Sequence, residues 1–212
     1  MSIYRQRFAD PMKTLTRREL SAVLAELARK SLRSPNTRMN LILFRLAACC
    51  GLRASEIAQL QLGDVRVELA RPHLQIRAGA AKGGRGRMVP LWWDAGTLAD
   101  LTAWKSQRLK QGAGEQAIYL ASLRPGHHSS ALSRHTLRKR FRTACTILGE
   151  ERLATLTIHH GRHTFLSHAL AGGRTLAEVR DAAGHSNITI TSAYLHVAVD
   201  DDERIGNLFK MT

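Results

Sequence analysis

Acidic side chains are scarce in this chain: 17 Asp and Glu stand against 32 Lys and Arg over 212 residues, a formal net charge of +15. A surface so unbalanced disfavours cationic partners and points to a polyanion, nucleic acid first among them. Cysteine is also rare. The three present, two of them adjacent at Cys49 and Cys50 in an apolar run, are too few for a disulfide framework and suit core packing in a reducing compartment. Long hydrophobic runs are missing as well, because the stretch around Leu41 to Phe44 is broken by Arg45. That predicts neither a signal peptide nor a membrane span, and hence a cytoplasmic or nucleoid-associated protein. There is no internal repeat, low-complexity segment or interdomain linker. With 44% hydrophobic residues, a single domain is expected.

What the chain does contain is mostly helix signal. Residues 1–13 read as a basic arm without periodicity. Thr16 and Glu19 form a capping box, and Leu20, Val23, Leu24 and Leu27 recur on one face of a helix that ends before Ser34 and Pro35. A mostly apolar second helix is predicted from about Thr37 to Cys50, capped by Gly51. In the next stretch, GLRASEIAQLQLGDV, Arg53 opens a short helix at a place where a phosphate would meet free backbone N–H groups. The same residues also read as half of a helix-turn-helix with Arg53 a solvated cation, and Glu56 either orients Arg53 or is an ordinary first-turn acid.

Val65–Leu69, His73–Ala78 and Met88–Leu91 predict a small antiparallel sheet, giving an α+β, mainly α-helical fold. The loop AKGGRGR before the last strand carries Lys82, Arg85 and Arg87. It is not a P-loop, since Lys82 precedes the glycines and lacks a Ser or Thr neighbour. It reads either as a source of phosphate contacts or as a plain basic loop. Asp94 to Leu109 is a helix with Leu98, Leu101 and Trp104 inward, and Ile118–Leu120 a short strand. His127 and His128 lack nearby ligands at metal spacing. Ser133 caps a helix whose Leu137, Phe141, Ala144 and Leu148 face inward, leaving Arg134, Arg138, Lys139, Arg140 and Arg142 to solvent or DNA phosphates.

The candidate chemistry is concentrated between Thr157 and Val197, TIHHGRHTFLSHALAGGRTLAEVRDAAGHSNITITSAYLHV. No cluster of Asp or Glu accompanies it. His159 and Arg162 lie one helical turn apart, and His185 and Tyr194 come after them. Two imidazoles, a guanidinium and a phenol make a poor metal cage but suit a phosphodiester, because guanidinium binds phosphate oxygens through a planar fork. Together with Arg53 and Lys82 they supply what metal-free attack on a phosphodiester requires. The tyrosine oxygen is the nucleophile, arginines neutralise the transition-state charge, and a lysine protonates the departing oxygen. His163 and His168, on the helix after Arg162, read as core or supporting groups. His159 and His163 lack the Glu of a zinc protease.

G-L-R-x-S-E around Arg53, K-G-G at Lys82, H-x-x-R-H from His159, G-H-S at Gly184, and Tyr194 followed by His196 resemble, in order, the boxes of the tyrosine recombinases and phage integrases. The resemblance covers Thr14 to the C-terminus. It implies a mainly helical catalytic domain over 14–199, with Arg53 and Arg162 clamping the scissile phosphate of double-stranded DNA. It further implies Lys82 as general acid, His159 as an acid/base group, His185 as a phosphate-site donor, and Tyr194 forming a 3′-phosphotyrosyl link. Neither metal, ATP nor another cofactor is implied, and assembly is expected on DNA as a synaptic tetramer, the tail 200–212 docking on a neighbouring subunit. Arg85, Arg87, Arg134, Arg138, Lys139 and Arg142 are the expected DNA contacts.

Two departures stand out. The separate N-terminal clamp domain usual in the family is not seen, as in its short fimbrial-switch members, so weak DNA binding by the chain alone is expected. His160-Gly161 replaces an acidic and an apolar residue, which predicts looser packing beside His159. A non-enzymatic helix-turn-helix regulator and a type IB topoisomerase-like nicking-closing enzyme remain as alternatives.

Overall fold

The computed structural model describes residues 13–81, 84–123 and 129–195, so Lys82, His127, His128, His196 and the tail lie outside the described residues. Helix α1 (Arg17–Ser31) begins at the expected capping box: Thr16 Oγ1 accepts from the Glu19 N–H, and Glu19 Oε2 accepts from the Thr16 N–H. Helix α2 (Pro35–Phe44) starts earlier than the periodicity predicts. Ser34 caps it, and Pro35 takes the first helical position, where its missing N–H costs nothing.

The predicted straight run to Cys50 is broken. Arg45–Cys49 form a π-helical turn, and Cys50 N–H bonds to Arg45 O at 3.0 Å. Such a turn inserts a residue into a helix and re-aims the chain beyond it. Gly51 then takes φ +65°, and a Cβ there would stand 2.4 Å from the Phe165 ring. Gly51→Ala therefore meets both left-handed strain and an immovable ring, and is expected to cost about 3 kcal/mol. Urea unfolding should give a lower midpoint at unchanged slope.

Helix α3 (Ala54–Gln59) and a 3-10 turn (Leu62–Asp64) lead into the sheet. Strands β1 (Val65–Arg66), β2 (His73–Ile76) and β3 (Arg87–Pro90) pair antiparallel in that order, Val65 and Val89 both opposite Leu74. They are shorter than expected, and around Ile118 only an isolated bridge to Gln61 forms. Helix α4 (Ala95–Lys110) buries Leu101 and Trp104.

Helix α5 (Arg134–Ala144) turns Leu137, Phe141 and Ala144 inward, with Phe141 stacked on Phe44 at 5.7 Å. Arg134, Arg138, Lys139 and Arg142 are exposed. Arg140 departs from the expected solvent face: it reaches back to α2, donating to Asn40 Oδ1 at 2.9 Å and Asn36 Oδ1 at 2.8 Å.

Helices α6 (Glu150–Thr155), α7 (Ile158–Ala171), α8 (Leu176–Ala183) and α9 (Ile188–Ser192) complete the described chain. Helix α7 is buried on nearly every side and bridges two cores. Its start joins the large core built on α1, α2, α4 and α5, while Phe165, Leu166 and Ala169 pack in a smaller one with Trp93, Val179 and Tyr194. The segment ahead of α1 is pinned to it, Leu15 donating to Thr164 Oγ1 at 3.0 Å while Leu15 O lies 2.8 Å from His168 Nε2.

Looser packing at His160-Gly161 is not what the structure holds. A Cβ on Gly161 would lie 3.0 Å from the Ala47 carbonyl carbon, so glycine lets α7 press directly onto the π turn. His160 takes over the acid's task at the helix start, its Nδ1 accepting from the Thr157 N–H at 3.0 Å. Every side chain on α7 is thereby held at a fixed height against the segment that delivers Arg53.

Candidate active site

Arg53 occupies the N-cap of α3, and Glu56 one turn later binds it twice. The carboxylate accepts from the Arg53 backbone N–H at 2.8 Å and from Arg53 Nη1 at 2.9 Å. Both roles weighed for Glu56 are thus filled by one residue. The same carboxylate takes both Nη atoms of Arg87, at 2.7 and 2.9 Å, while Arg87 Nε donates to Ala182 O at 2.8 Å. Glu56 is fully buried and Arg87 is 7% exposed. Arg87, expected among the DNA contacts, is committed instead to tying β3 and α8 to the Arg53 helix. Burial alone would raise the Glu56 pKa, but its bonds to Arg87 and then Arg53 outweigh it and hold the carboxyl below its usual range.

Arg162 is 8% exposed and braces the site from α7. Nη1 donates to Gly51 O at 2.7 Å and Nη2 to Ala183 O at 2.5 Å, so one guanidinium joins the turn before Arg53 to the end of α8. Burial, then Arg53 and Arg87, push its pKa down to about 9, which leaves it charged at neutral pH. Three guanidiniums thus crowd around one carboxylate. The residual positive charge, in a partly desolvated setting, is a standing demand for an anion.

Helix α8 stops at Gly184, φ +66°, where a Cβ would lie 2.7 Å from Arg87 Cδ. The reversal delivers His185 beside this cluster. Its Nδ1 lies 2.9 Å from Thr191 Oγ1, a fully buried hydroxyl. With Thr191 as donor, the imidazole keeps its proton on Nε2, free to be given to a ligand. Burial, then Arg162 and Arg53, drive the His185 pKa down to about 4, so it is neutral at pH 7. His159 is exposed at the start of α7, its pKa lowered by partial burial and then by Arg138, Arg162 and Arg53. Arg138 on α5 therefore adjoins the site.

Tyr194, just past α9, is buried at 9% exposure. Its hydroxyl lies 2.5 Å from Nδ1 of His163, with ring centroids 5.3 Å apart. Burial raises its pKa, and Arg162 counteracts this. Tyr119 is fully buried and donates to Leu101 O at 2.8 Å, which leaves it no access to a substrate.

Arg53, His159 and Arg162 on α7, His185 and Tyr194 thus come together from four segments, and Arg53 and His185 line an open cleft of about 740 Å³ with Arg85, Arg87, Arg180 and Ser186. Arg85 is exposed at its rim. Lys82 lies outside the described residues. From the sequence alone His163 reads as a core or supporting residue. The available signal was its spacing of four from His159, which places both on one helical face.

The Phage integrase family profile matches residues 13–200. Tyrosine recombinase XerC of Chromobacterium violaceum is 33% identical over 152 residues, covering 72% of this chain and 46% of that protein. Tyrosine recombinase XerD of Staphylococcus epidermidis is 30% identical over 185 residues, covering 85% and 57%. The chain thus spans about half the length of these curated relatives. Among solved structures, XerA recombinase superposes with a TM-score of 0.66 at 18% identity, over 87% of this chain and 58% of that one. XerH bound to a palindromic difH substrate, in a post-cleavage complex, gives 0.65 at 24%, over 86% and 49%. Profile, relatives and fold agree: the chain belongs to the phage integrase family.

Proposed function

We propose that this chain is the catalytic domain of a site-specific DNA recombinase, cutting and rejoining double-stranded DNA through a 3′-phosphotyrosyl link at Tyr194. The observation that carries the reading is the convergence of a buried tyrosine with Arg53 and Arg162 in a cluster whose positive charge exceeds its carboxylates. The two guanidiniums bind the non-bridging oxygens and stabilise the charge that grows on them in the transition state. His185 adds a neutral N–H donor, and His159 an acid/base group at the exposed end of α7. Lys82 protonates the departing 5′-oxygen. Since the phosphotyrosyl bond conserves the energy of the broken phosphodiester, rejoining needs neither ATP nor, in this reading, a metal.

The exposed cations of α5, Arg134, Arg138, Lys139 and Arg142, together with Arg85, supply phosphate contacts along the duplex. Arg138 lies close enough to His159 to lower its pKa, which supports a track that runs towards the site. The reading extends to synaptic assembly on DNA through the tail and to a place in the cytoplasm or nucleoid. No described helix is long and apolar enough to cross a membrane. The helix-turn-helix alternative, built on α3 and the basic helix α5, leaves His159, His185 and Tyr194 without roles, and the relatives are named as recombinases. A nicking-closing enzyme would share the chemistry, but those names count against it too.

The test is incubation with a pool of nicked suicide duplexes carrying randomised sites, followed by denaturing electrophoresis. A protein–DNA adduct that survives denaturation and forms equally in EDTA is expected. An adduct that needs a divalent ion, or sequence-specific binding without any adduct, would refute the reading.

A further inference from the structure

We infer that His163 is the proton acceptor for Tyr194, taking the phenolic proton on Nδ1 as the tyrosine oxygen attacks phosphorus. The inference rests on the recombinase reading of the site and assigns a residue that the sequence motifs left without a role. Its first support is contact. Four histidines stand near the reacting groups on α7 and after α8, and their nitrogens are differently engaged. His160 Nδ1 is occupied by Thr157, and His185 Nδ1 faces Thr191. His163 is the one whose Nδ1 meets the tyrosine hydroxyl, at 2.5 Å. That is within reach for direct transfer without a bridging water.

Protonation state is the second support. An acceptor must be neutral before reaction, and burial, followed by His160, His159, Lys13 and Arg162, holds the His163 pKa at about 4. The groups facing it are therefore cations or imidazoles from its own helix, Lys13 from the segment ahead of α1, and Tyr194 itself. With the Tyr194 hydroxyl as donor, the neutral ring carries its proton on Nε2 and presents a lone pair on Nδ1 to the hydroxyl. So depressed a basicity makes His163 a poor base in the empty site. Binding a phosphodiester brings an anion next to Arg162, the adjacent residue, and raises the proton affinity of His163 when the substrate is in place. The base is thus armed by the group it serves.

Rigidity is the third support. His163 directly succeeds Arg162 on α7, and that helix is pressed onto Ala47 at Gly161 and pinned to Leu15 through Thr164 and His168. Clamp and base therefore keep a fixed separation set by one backbone. In cleavage the Tyr194 Oη–P bond forms and the P–O5′ bond breaks. The phenolic proton passes to His163 Nδ1, and the 5′-oxygen receives a proton from the general acid on the leaving side. Rejoining reverses each transfer, with His163 returning its proton to the departing tyrosine oxygen.

The experiment measures single-turnover adduct formation on a suicide duplex that the parent chain converts, using His163→Gln with either ordinary tyrosine or a ring-fluorinated tyrosine at position 194. Glutamine still accepts a hydrogen bond but takes no proton near neutrality, and the fluorinated phenol ionises near neutral pH without help. His163→Gln is expected to fold and bind DNA like the parent yet form adduct about 10²–10⁴-fold more slowly. Its rate should rise with pH as Tyr194 ionises, and the fluorinated residue should restore most of the loss. Parent-like cleavage by His163→Gln with ordinary tyrosine would overturn the inference, as would a deficit that fluorination leaves unchanged, because either would mean that the contact only orients the ring. Faster cleavage in His163→Ala would overturn it too, marking the contact as a restraint. Absence of adduct from the parent chain on every duplex would instead count against the recombinase reading.

Discussion

Tyr194→Phe is expected to bind DNA as tightly as the parent chain and to yield no covalent adduct, a loss of activity to background. The substitution removes one oxygen and keeps the ring that packs with Trp93, Phe165 and Val179. No phosphate-facing cation is touched, so the electrostatic part of DNA affinity, with its salt dependence, stays as it was. What disappears is the nucleophile, and with it the partner of His163 Nδ1. Leaving that half-buried nitrogen unsatisfied costs roughly 1 kcal/mol, too little to unfold the domain. Gel-shift titration at two salt concentrations, beside an adduct assay, checks both halves. Tyr119→Phe serves as the counterpart: it deletes a buried hydroxyl bonded to Leu101 O, so it should lower the melting temperature slightly and leave cleavage in place.

Glu56→Gln should have the largest effect on stability. The fully buried carboxylate holds Arg87, itself 7% exposed, and Arg53. Glutamine keeps the shape but strands a buried guanidinium without its counter-charge, which costs about 3–5 kcal/mol. For a chain of this size that is a drop of roughly 2–4 °C per kcal/mol in melting temperature. Arg53 also loses the anchor that fixes its fork, so cleavage should fall by more than the folded fraction does. The pH dependence carries a definite sign. Glu56 has a folded pKa below its usual value, so its contribution is fully present above the unfolded pKa of about 4.3 and is lost as pH falls through the lower folded value. The stability gap between parent and variant should be level from about pH 6 upward and should close in acid. Urea unfolding across that range measures it, and a gap that widened in acid would contradict the pairing.

Features coded by neighbours in the chain were legible from the sequence, whereas features made by distant partners were not. The capping box at Thr16 needs only residues three apart, and it forms as read. The inward face of α5 came from spacing alone. The π turn at Arg45–Cys49 was invisible, because a helix and a helix with one inserted residue have the same apolar pattern. Arg87 read as one more loop cation, since its carboxylate lies 31 residues earlier and becomes its partner only when β3 meets α3. Arg140 was misassigned for the same reason, its acceptors Asn36 and Asn40 lying on another helix.

His160-Gly161 is the instructive reversal. A glycine inside a helix reads as a weakness, yet here the missing Cβ is what admits Ala47. His163 closes the H-x-x-R-H motif and still went unassigned, because its role depends on where the chain returns after α9. Periodicity located the helix; only the fold could say what its fourth turn-neighbour would touch.

The most direct measurement is to map the adduct. The chain is trapped on a suicide duplex, digested with protease and nuclease, and analysed by tandem mass spectrometry. The expected result is a single modified peptide spanning Tyr194, carrying a 3′-linked nucleotide on the phenolic oxygen, with Tyr119 and Tyr4 unmodified. Linkage to another residue, or attachment through a 5′-phosphate, would contradict the assignment of Tyr194 as the nucleophile held between Arg162 and His163.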